Sequence, residues 1–267
     1  MNFLAFLTLL FALSFATTPS SETIHWLPHG CSASSSGGSH HGGGKVSMYE
    51  LINFTPSQNA KVSYIFSTLE KKSIELAPNT ATLPKSGVNN YHALIAEVSE
   101  DNRVYSAIYY IYKHGKPSQT SPTKLTSLQK VEFEIKPNPL PREHDRYSGS
   151  KEYSFLVTLD SKPQEIEVEF QTLNGTKKIY KSDANGVLKL TLPNDFKNVK
   201  HIRRANKASH FILSTKTTKN NKEYFTTLSA PYSVNPTNYW QSVSLGLITA
   251  IAGFIIGIFI YRKRKNG

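Results

Sequence analysis

Short runs of alternating apolar and polar residues, separated by turn formers, fill most of this chain. The run EIEVEFQT is the clearest, because Ile166, Val168 and Phe170 alternate with three glutamates. Successive side chains of a strand point to opposite faces, so this period of two predicts a strand with one buried face and one wet face. The run VEFEIK has the same period and predicts a second such strand, with Glu134 opposite the apolar face.

Turn signals group these strands into two units. Asn-Gly pairs at 174–175 and 185–186 each predict a tight hairpin turn. A polar stretch with two prolines at 114–129 is typical of a linker, and it divides a first β unit at 46–113 from a second at 130–236. The predicted fold class is mainly β, with two antiparallel β-sandwich units of the immunoglobulin or transthyretin kind plus one C-terminal transmembrane helix. No other helix is expected.

An uncharged, mostly apolar run at 243–260 predicts a transmembrane helix of about 27 Å, enough for the hydrocarbon core of a bilayer. Four consecutive basic residues follow within the tail 261–267, which favours a cytoplasmic tail. The chain is therefore expected to cross the cell membrane once, with its N-terminal part extracytoplasmic. Thr249, Gly253 and Gly257 form a stripe of small residues that favours close approach of two helices in a homo-oligomer.

The N-terminus has the composition of a secretory signal peptide at 1–16. An apolar core at 3–13 precedes small residues at Ser14 and Ala16, so cleavage is predicted after Ala16. An uncleaved anchor is the alternative, since no Lys or Arg precedes the apolar core. The segment 17–45 is rich in Ser, Gly and His, lacks any apolar period and is predicted to be disordered.

Charge and cysteine content narrow the class of protein. The formal net charge is +12, but the lysines are scattered among the predicted strands and do not form the cluster of a nucleic-acid interface. No nucleic-acid partner is therefore expected. Cys31 is the single cysteine, so no intrachain disulfide can hold the fold together.

The segment 17–45 also holds the candidate metal chemistry, because imidazole and thiolate together suit ions such as Ni²⁺, Cu²⁺ or Zn²⁺. The predicted metal ligands are His25, His29, Cys31, His40 and His41. Their spacing is not that of a preformed structural zinc site, and a plain solvated linker is the alternative. The sequence has no nucleophile elbow, zinc-protease motif or phosphate loop, so no enzymatic activity is expected.

Five motifs of the second β unit carry a resemblance to a known family. They are Arg146–Gly149, Tyr153–Phe155, Asp160–Pro163, Ser182–Gly186 and Leu190–Phe196. Together they resemble a family of bacterial envelope proteins of unknown function, often described as periplasmic components of nickel or cobalt uptake. The resemblance covers the second β unit and the span. It implies a signal peptide, β-sandwich modules, one C-terminal anchor and a role with a divalent metal.

Two functions from different classes stay open. The first is a membrane-anchored accessory in divalent metal uptake, with nickel, cobalt or copper as its ion. A span without interior charges cannot itself transport the ion, so this function requires a separate metal permease as partner. The second is a structural or protein-interaction module of the cell envelope, which offers sheet edges to another protein and has no metal role.

Overall fold

The computed structural model describes residues 23–30, 47–55, 59–141, 146–200, 205–238 and 243–265. Within these residues the chain is mainly β, as predicted, with seventeen strands and two α-helices. The strands are β1 (His25–Pro28), β2 (Met48–Ile52), β3 (Ala60–Ile65), β4 (Lys71–Ser73), β5 (Thr80–Thr82), β6 (Val88–Glu100), β7 (Arg103–Lys113), β8 (Lys116–Pro117), β9 (Phe133–Pro137), β10 (Tyr147–Ser148), β11 (Glu152–Leu159), β12 (Lys162–Pro163), β13 (Glu167–Thr172), β14 (Lys177–Lys181), β15 (Val187–Thr191), β16 (Ser209–Lys219) and β17 (Lys222–Ser233). The helices are α1 (Pro122–Ser127) and α2 (Val243–Lys265).

Strands from both predicted units form one ten-stranded sheet. Its order is β14-β13-β16-β17-β7-β6-β3-β4, with β10 beside β17 and β8 beside β6. The two units meet at β7 and β17, which run parallel from the pair Arg103 and Glu223 to the pair Tyr109 and Ser229. The neighbouring long strands pair antiparallel. The two predicted units therefore share a sheet, and the segment 114–129 joins two parts of it.

A smaller sheet packs on each face of the ten-stranded sheet. A four-stranded sheet of β9, β11, β12 and β15 covers one face, over a core that includes Phe155 and Phe170. A three-stranded sheet of β1, β2 and β5 covers the other face, over a core that includes Trp26 and Leu51. Strands β6 and β7 contribute side chains to both cores, which explains their nearly continuous apolar sequence. This face-to-face packing confirms the predicted β-sandwich class.

Strand β1 lies over the junction of β7 and β17 and is held there by three side-chain hydrogen bonds. The Trp26 indole nitrogen donates to the Ala107 carbonyl at 3.2 Å. Thr227 and Ser229 donate their hydroxyls to the carbonyls of Ile24 at 2.7 Å and Trp26 at 2.5 Å. The prediction of disorder over 17–45 is therefore wrong for residues 23–30. A strand this short cannot order alone, but burial of its aromatic and aliphatic side chains against the sheet stabilises it.

The segment 114–129 is also more ordered than predicted, because it contains β8 and the helix α1. Ser121 caps α1, its hydroxyl accepting from the backbone nitrogen of Thr123 at 3.3 Å, and Pro122 occupies the first turn. Leu125 is the buried residue of this helix and joins the core beneath the four-stranded sheet. One apolar residue leaves no period to detect, so the sequence pattern did not indicate α1.

The C-terminal helix agrees with the predicted span at 243–260 and continues to Lys265. Residues 246–265 are long and apolar enough to cross a membrane, and none of this stretch is buried against the β sheets. The predicted signal peptide at 1–16 lies outside the described residues.

The register of β13 gives a matched pair of substitutions. Phe170 is 1 % exposed and Val168 is fully buried, whereas Glu169 between them is exposed, as predicted. We expect Phe170→Ala to lower the free energy of unfolding by about 3 to 5 kcal/mol, because it leaves a cavity in the core, and Glu169→Ala to change it little. Denaturant unfolding in mild detergent measures both. Equal midpoints for the two variants would contradict this register.

Candidate functional site

The five predicted metal ligands do not form a cluster in the part of the chain that the structure describes. His25 is buried in β1, and its Nδ1 donates to the Thr23 carbonyl at 3.2 Å. His29 is exposed at the end of β1, with Nδ1 3.9 Å from a carboxylate oxygen of Glu50. The remaining three, Cys31, His40 and His41, lie outside the described residues. Within the described ranges no group of three or more His, Cys, Asp or Glu side chains is placed to hold a metal ion.

His25 instead lies close to a second histidine that the sequence shows only as an isolated residue. His210 on β16 is 5 % exposed, and its Nε2 lies 3.2 Å from the Tyr109 hydroxyl. Burial, followed by the charge of the nearby His25, lowers the pKa of His210 to about 4. Burial also lowers the pKa of His25. Both imidazoles are therefore neutral near pH 7, and they serve the packing of β1 on the sheet.

The segment 114–129 lines a groove of about 440 Å³ together with the ends of β6 and β7 and the loop after β9. Tyr91 and Tyr112 meet edge to face in its wall, with ring centres 5.0 Å apart. The Tyr91 hydroxyl donates to the Pro141 carbonyl at 3.0 Å, and the Asn90 amide donates to the Thr120 carbonyl at 2.6 Å. These polar groups hold the segments that build the groove. We call this surface the linker groove.

A buried charge cluster holds the end of the same segment. The side chains of Lys130 and Glu134 are fully buried, with Nζ and Oε2 3.8 Å apart. Lys130 Nζ also donates to the Leu128 carbonyl at 2.7 Å, and Lys136 Nζ lies 3.3 Å from Glu134 Oε1. The prediction that Glu134 lies on a wet face is therefore wrong, because β9 is covered on both faces at this position. Glu134 is buried because the ten-stranded sheet packs against β9. The pattern of β9 alone does not reveal this packing.

Two tyrosines complete this cluster from the side of the core. The hydroxyls of Tyr110 and Tyr147 are buried without a hydrogen-bond partner among the described residues. Burial, followed by the Glu134 charge, raises the pKa of Tyr110 well above its ordinary value. Burial also lowers the pKa of Lys130 to about 8, against the opposing effect of Glu134. An amine and a carboxylate so placed are suited to proton transfer, but their complete burial keeps them from any substrate in this conformation.

Another polar cluster surrounds Asp195, in the motif 190–196. Its carboxylate accepts from the hydroxyls of Thr172 and Thr176, each at 2.7 Å, from the Asn174 amide at 3.1 Å and from the Tyr232 hydroxyl. Burial acts to raise the pKa of Asp195, but these four donors lower it on balance. The cluster fixes the hairpin turn after β13 and the loop after β15 to the sheet.

The motif 182–186 likewise has a structural role. The Asp183 carboxylate accepts from the backbone nitrogens of Asn185 at 2.9 Å and Val187 at 2.8 Å, which closes the turn. Gly186 has a φ of +72°, and a Cβ atom there would lie 2.6 Å from the Val157 carbonyl oxygen. Turn geometry therefore accounts for this motif without a ligand.

Comparison with known proteins does not place the chain in a family. No protein family matches it, and no curated protein matches it. The solved structures that align with it include a bacterial ice-binding adhesin involved in host cell surface retention, at 14 % identity and a TM-score of 0.28, over 81 % of this chain and 66 % of the adhesin chain. The chain thus aligns with just under two thirds of that solved adhesin chain.

Two further solved structures align at lower scores. Fibronectin(III)-like modules of Clostridium thermocellum CbhA match at 13 % identity and a TM-score of 0.20, over 78 % of this chain and 92 % of theirs. The neural ectodermal development factor IMP-L2 matches at 9 % identity and a TM-score of 0.17, over 72 % of this chain and 84 % of its own. Likenesses this weak carry no functional argument, so the fold assignment rests on the observed sheets.

The buried Lys130 makes stability depend on pH. Above pH 8 the folded protein releases this proton, whereas the unfolded chain binds it up to its ordinary pKa of 10.5. The free energy of unfolding should therefore rise from about pH 8 to 9.5, by up to about 2 kcal/mol from this residue. Above about pH 10 the buried tyrosines act in the opposite direction, because the unfolded chain then ionises its phenols first.

Comparison of variants isolates the Lys130 contribution. We expect Lys130→Met to lose this rise in the free energy of unfolding and to be destabilised overall, since Glu134 loses a partner. Lys124→Met, at an exposed position of α1, is the control and should keep the rise. Denaturant unfolding at a series of pH values measures all three proteins. An unchanged pH profile in Lys130→Met would show that Lys130 is protonated in the folded state throughout this range.

The metal prediction can be tested separately for the buried His25 and for His40 and His41, which lie outside the described residues. If residues of the segment 17–45 bind Ni²⁺ or Cu²⁺, the double variant His40→Ala/His41→Ala should lose binding in calorimetric titration of the full chain. His25→Ala should keep the stoichiometry of binding and lose stability instead, because its imidazole is buried and hydrogen-bonded. Affinity should fall as imidazoles protonate below about pH 6.5. Loss of binding in a folded His25→Ala protein would restore His25 as a ligand.

Proposed function

We propose that this protein is a single-pass membrane protein that presents an extracytoplasmic β-sandwich body to another protein of the cell envelope. The observation that carries this proposal is the helix α2, whose mainly apolar stretch 246–265 is not buried against the β sheets. So large an exposed apolar surface requires a covering, and a bilayer supplies it. The β-sandwich body is then attached to the membrane by α2 and not by the surfaces of its own sheets.

The basic tail supports the direction of insertion. Arg262, Lys263, Arg264 and Lys265 close α2, and basic residues flanking a span favour the cytoplasm. The proposed position of the body is therefore the extracytoplasmic side, which the family resemblance identifies as a bacterial periplasm.

The interior of the body supports an interaction role more than a reaction. The Lys130 and Glu134 side chains are fully buried, and the Asp195 carboxylate is occupied by four donors that fix local structure. The polar groups with the most perturbed environments therefore stabilise the fold. What the body offers to other molecules is its outer surface and the ends of its sheets.

Reporter fusions test the membrane arrangement. Alkaline phosphatase fused after Gly267 should be inactive, since this enzyme folds only outside the cytoplasm, and a cytoplasmic reporter at the same position should be active. Protease added to cells with an opened outer membrane should digest the body and spare the tail. Phosphatase activity from the tail fusion would contradict the proposed orientation.

Photo-crosslinking in living cells tests the interaction role. A photoreactive amino acid is placed singly at five exposed positions of the body, in the full-length chain. These positions are Met48, Lys72, Leu128, Ile179 and Lys216. We expect a discrete adduct with another envelope protein from at least one position and none without irradiation. Correctly inserted protein that gives no discrete adduct from any of the five would contradict the proposal.

A further inference from the structure

The two ends of the ten-stranded sheet are strands with one open edge each. β4 ends the sheet beside β3, and β14 ends it beside β13. Within the described residues no other strand pairs with either outer edge. An open edge presents backbone donors and acceptors to any extended chain, so proteins protect such edges, commonly with lysines.

The two edges are protected to different degrees. β4 has the sequence KKS, and all three residues are exposed without any apolar side chain. β14 has the sequence KKIYK, and its central Ile179 is 62 % exposed. Lys177, Ile179 and Lys181 share one face of this strand because side chains alternate. Lysines alone protect an open edge against pairing with another chain. An exposed isoleucine between them favours such pairing instead.

The strand already paired with β14 shows which chemistry it accepts. On β13, Glu167 lies opposite Lys181 and Glu169 lies opposite Ile179. Lys181 Nζ also contacts the Glu165 carboxylate at 2.6 Å. β14 therefore pairs with a strand that presents Glu167 and Glu169 to Lys181 and Ile179. Lys177 and Lys178 form no ion pair within the described part of the chain, so they remain available to further carboxylates.

A second copy of this chain is a poor occupant of the same edge. Antiparallel pairing of two β14 strands centred on Ile179 places Lys177 opposite Lys181 of the other copy. Like charges directly opposite each other destabilise a strand pair. An acidic strand carries the opposite charge to these lysines. Charge complementarity therefore favours an acidic strand of another protein over a second copy of this chain.

We propose that the open edge of β14 binds an extended acidic segment of a partner protein, which adds to the sheet as a further strand. Backbone hydrogen bonds hold the added strand, and its glutamates or aspartates lie on the same face as Lys177, Ile179 and Lys181. The carboxylates meet the two lysines with opposite charge, and Ile179 packs on the aliphatic part of an acidic side chain, as it already lies opposite Glu169 on β13. This inference rests on the proposed interaction function and names its surface and the chemistry of its partner. Binding of this kind weakens as salt rises.

The experiment uses the full chain in detergent and a fluorescent probe peptide, EIEVEFQT, which copies the sequence of residues 165–172. Fluorescence anisotropy should show saturable binding of this peptide, and a charge-reversed peptide, KIKVKFQT, should not bind. Lys177→Glu/Lys178→Glu should weaken binding at least tenfold, and Ile179→Glu, which places a like charge opposite a glutamate of the peptide, at least fivefold. The matched control Lys71→Glu/Lys72→Glu makes the same charge change on β4 and should bind the peptide like the wild type.

Hydrogen exchange identifies where the peptide binds. Addition of the peptide should slow amide exchange in β14 and leave exchange in β4 and β13 unchanged. Faster exchange in β13 would mean that the peptide replaces β13, and this result would overturn the proposal. Absence of binding by the wild type would also overturn the proposal. Equal weakening of binding by the β14 and β4 variants would overturn it too, because it would show non-specific attraction of the peptide to lysines. Concentration-dependent dimers that are lost in Ile179→Glu would identify a second copy as the occupant and would also overturn the proposal.

The two proposals fail in different ways. If the peptide does not bind at β14 but crosslinks form from Met48, Leu128 or Lys216, the interaction function stands and its surface lies elsewhere. If Ile179 crosslinks to an envelope protein and Lys72 does not, both proposals are supported in the cell.

Discussion

The parallel pairing of β7 with β17 is the contact on which the rest of this structure depends. Parallel neighbours cannot be joined by a hairpin, so the chain between them has to leave the sheet and return. That excursion contains α1, the buried Lys130 and the whole four-stranded sheet. The pairing turns two β units that are separate along the sequence into one layered body.

The same pairing decides which side chains become interior. Long strands in the middle of a sheet that is covered on both sides need apolar residues on both faces, and β6 and β7 supply them. Polar groups that become buried between the sheets then need hydrogen-bond or ion-pair partners. Thr227 and Ser229 find theirs in the backbone of β1, and Glu134 finds its own in Lys130 and Lys136. Each polar pair adds to the burial of apolar side chains in fixing its segment.

The surfaces left over define what the protein offers to others. Both faces of the central strands are covered, and the polar clusters are occupied internally. The exposed helix α2 requires a bilayer. The edge of β14 combines the exposed Ile179 with Lys177 and Lys178, which form no ion pair among the described residues. A tethered body with one incompletely protected edge is suited to binding another chain at a membrane surface.

The sequence by itself determined the elements whose pattern is local. The span at 243–260, the hairpin turn at 174–175 and the buried face of β13 follow from residues that are neighbours along the chain. The predicted hairpin at 185–186 is wrong, because the turn there joins β14 to β15, which lie in different sheets. Only the tertiary structure decided the order of β1, the packing of Leu125 and the burial of Glu134. These outcomes depend on strands far away in sequence, because a short segment is ordered, or a charge buried, only when distant residues cover it and satisfy its hydrogen bonds.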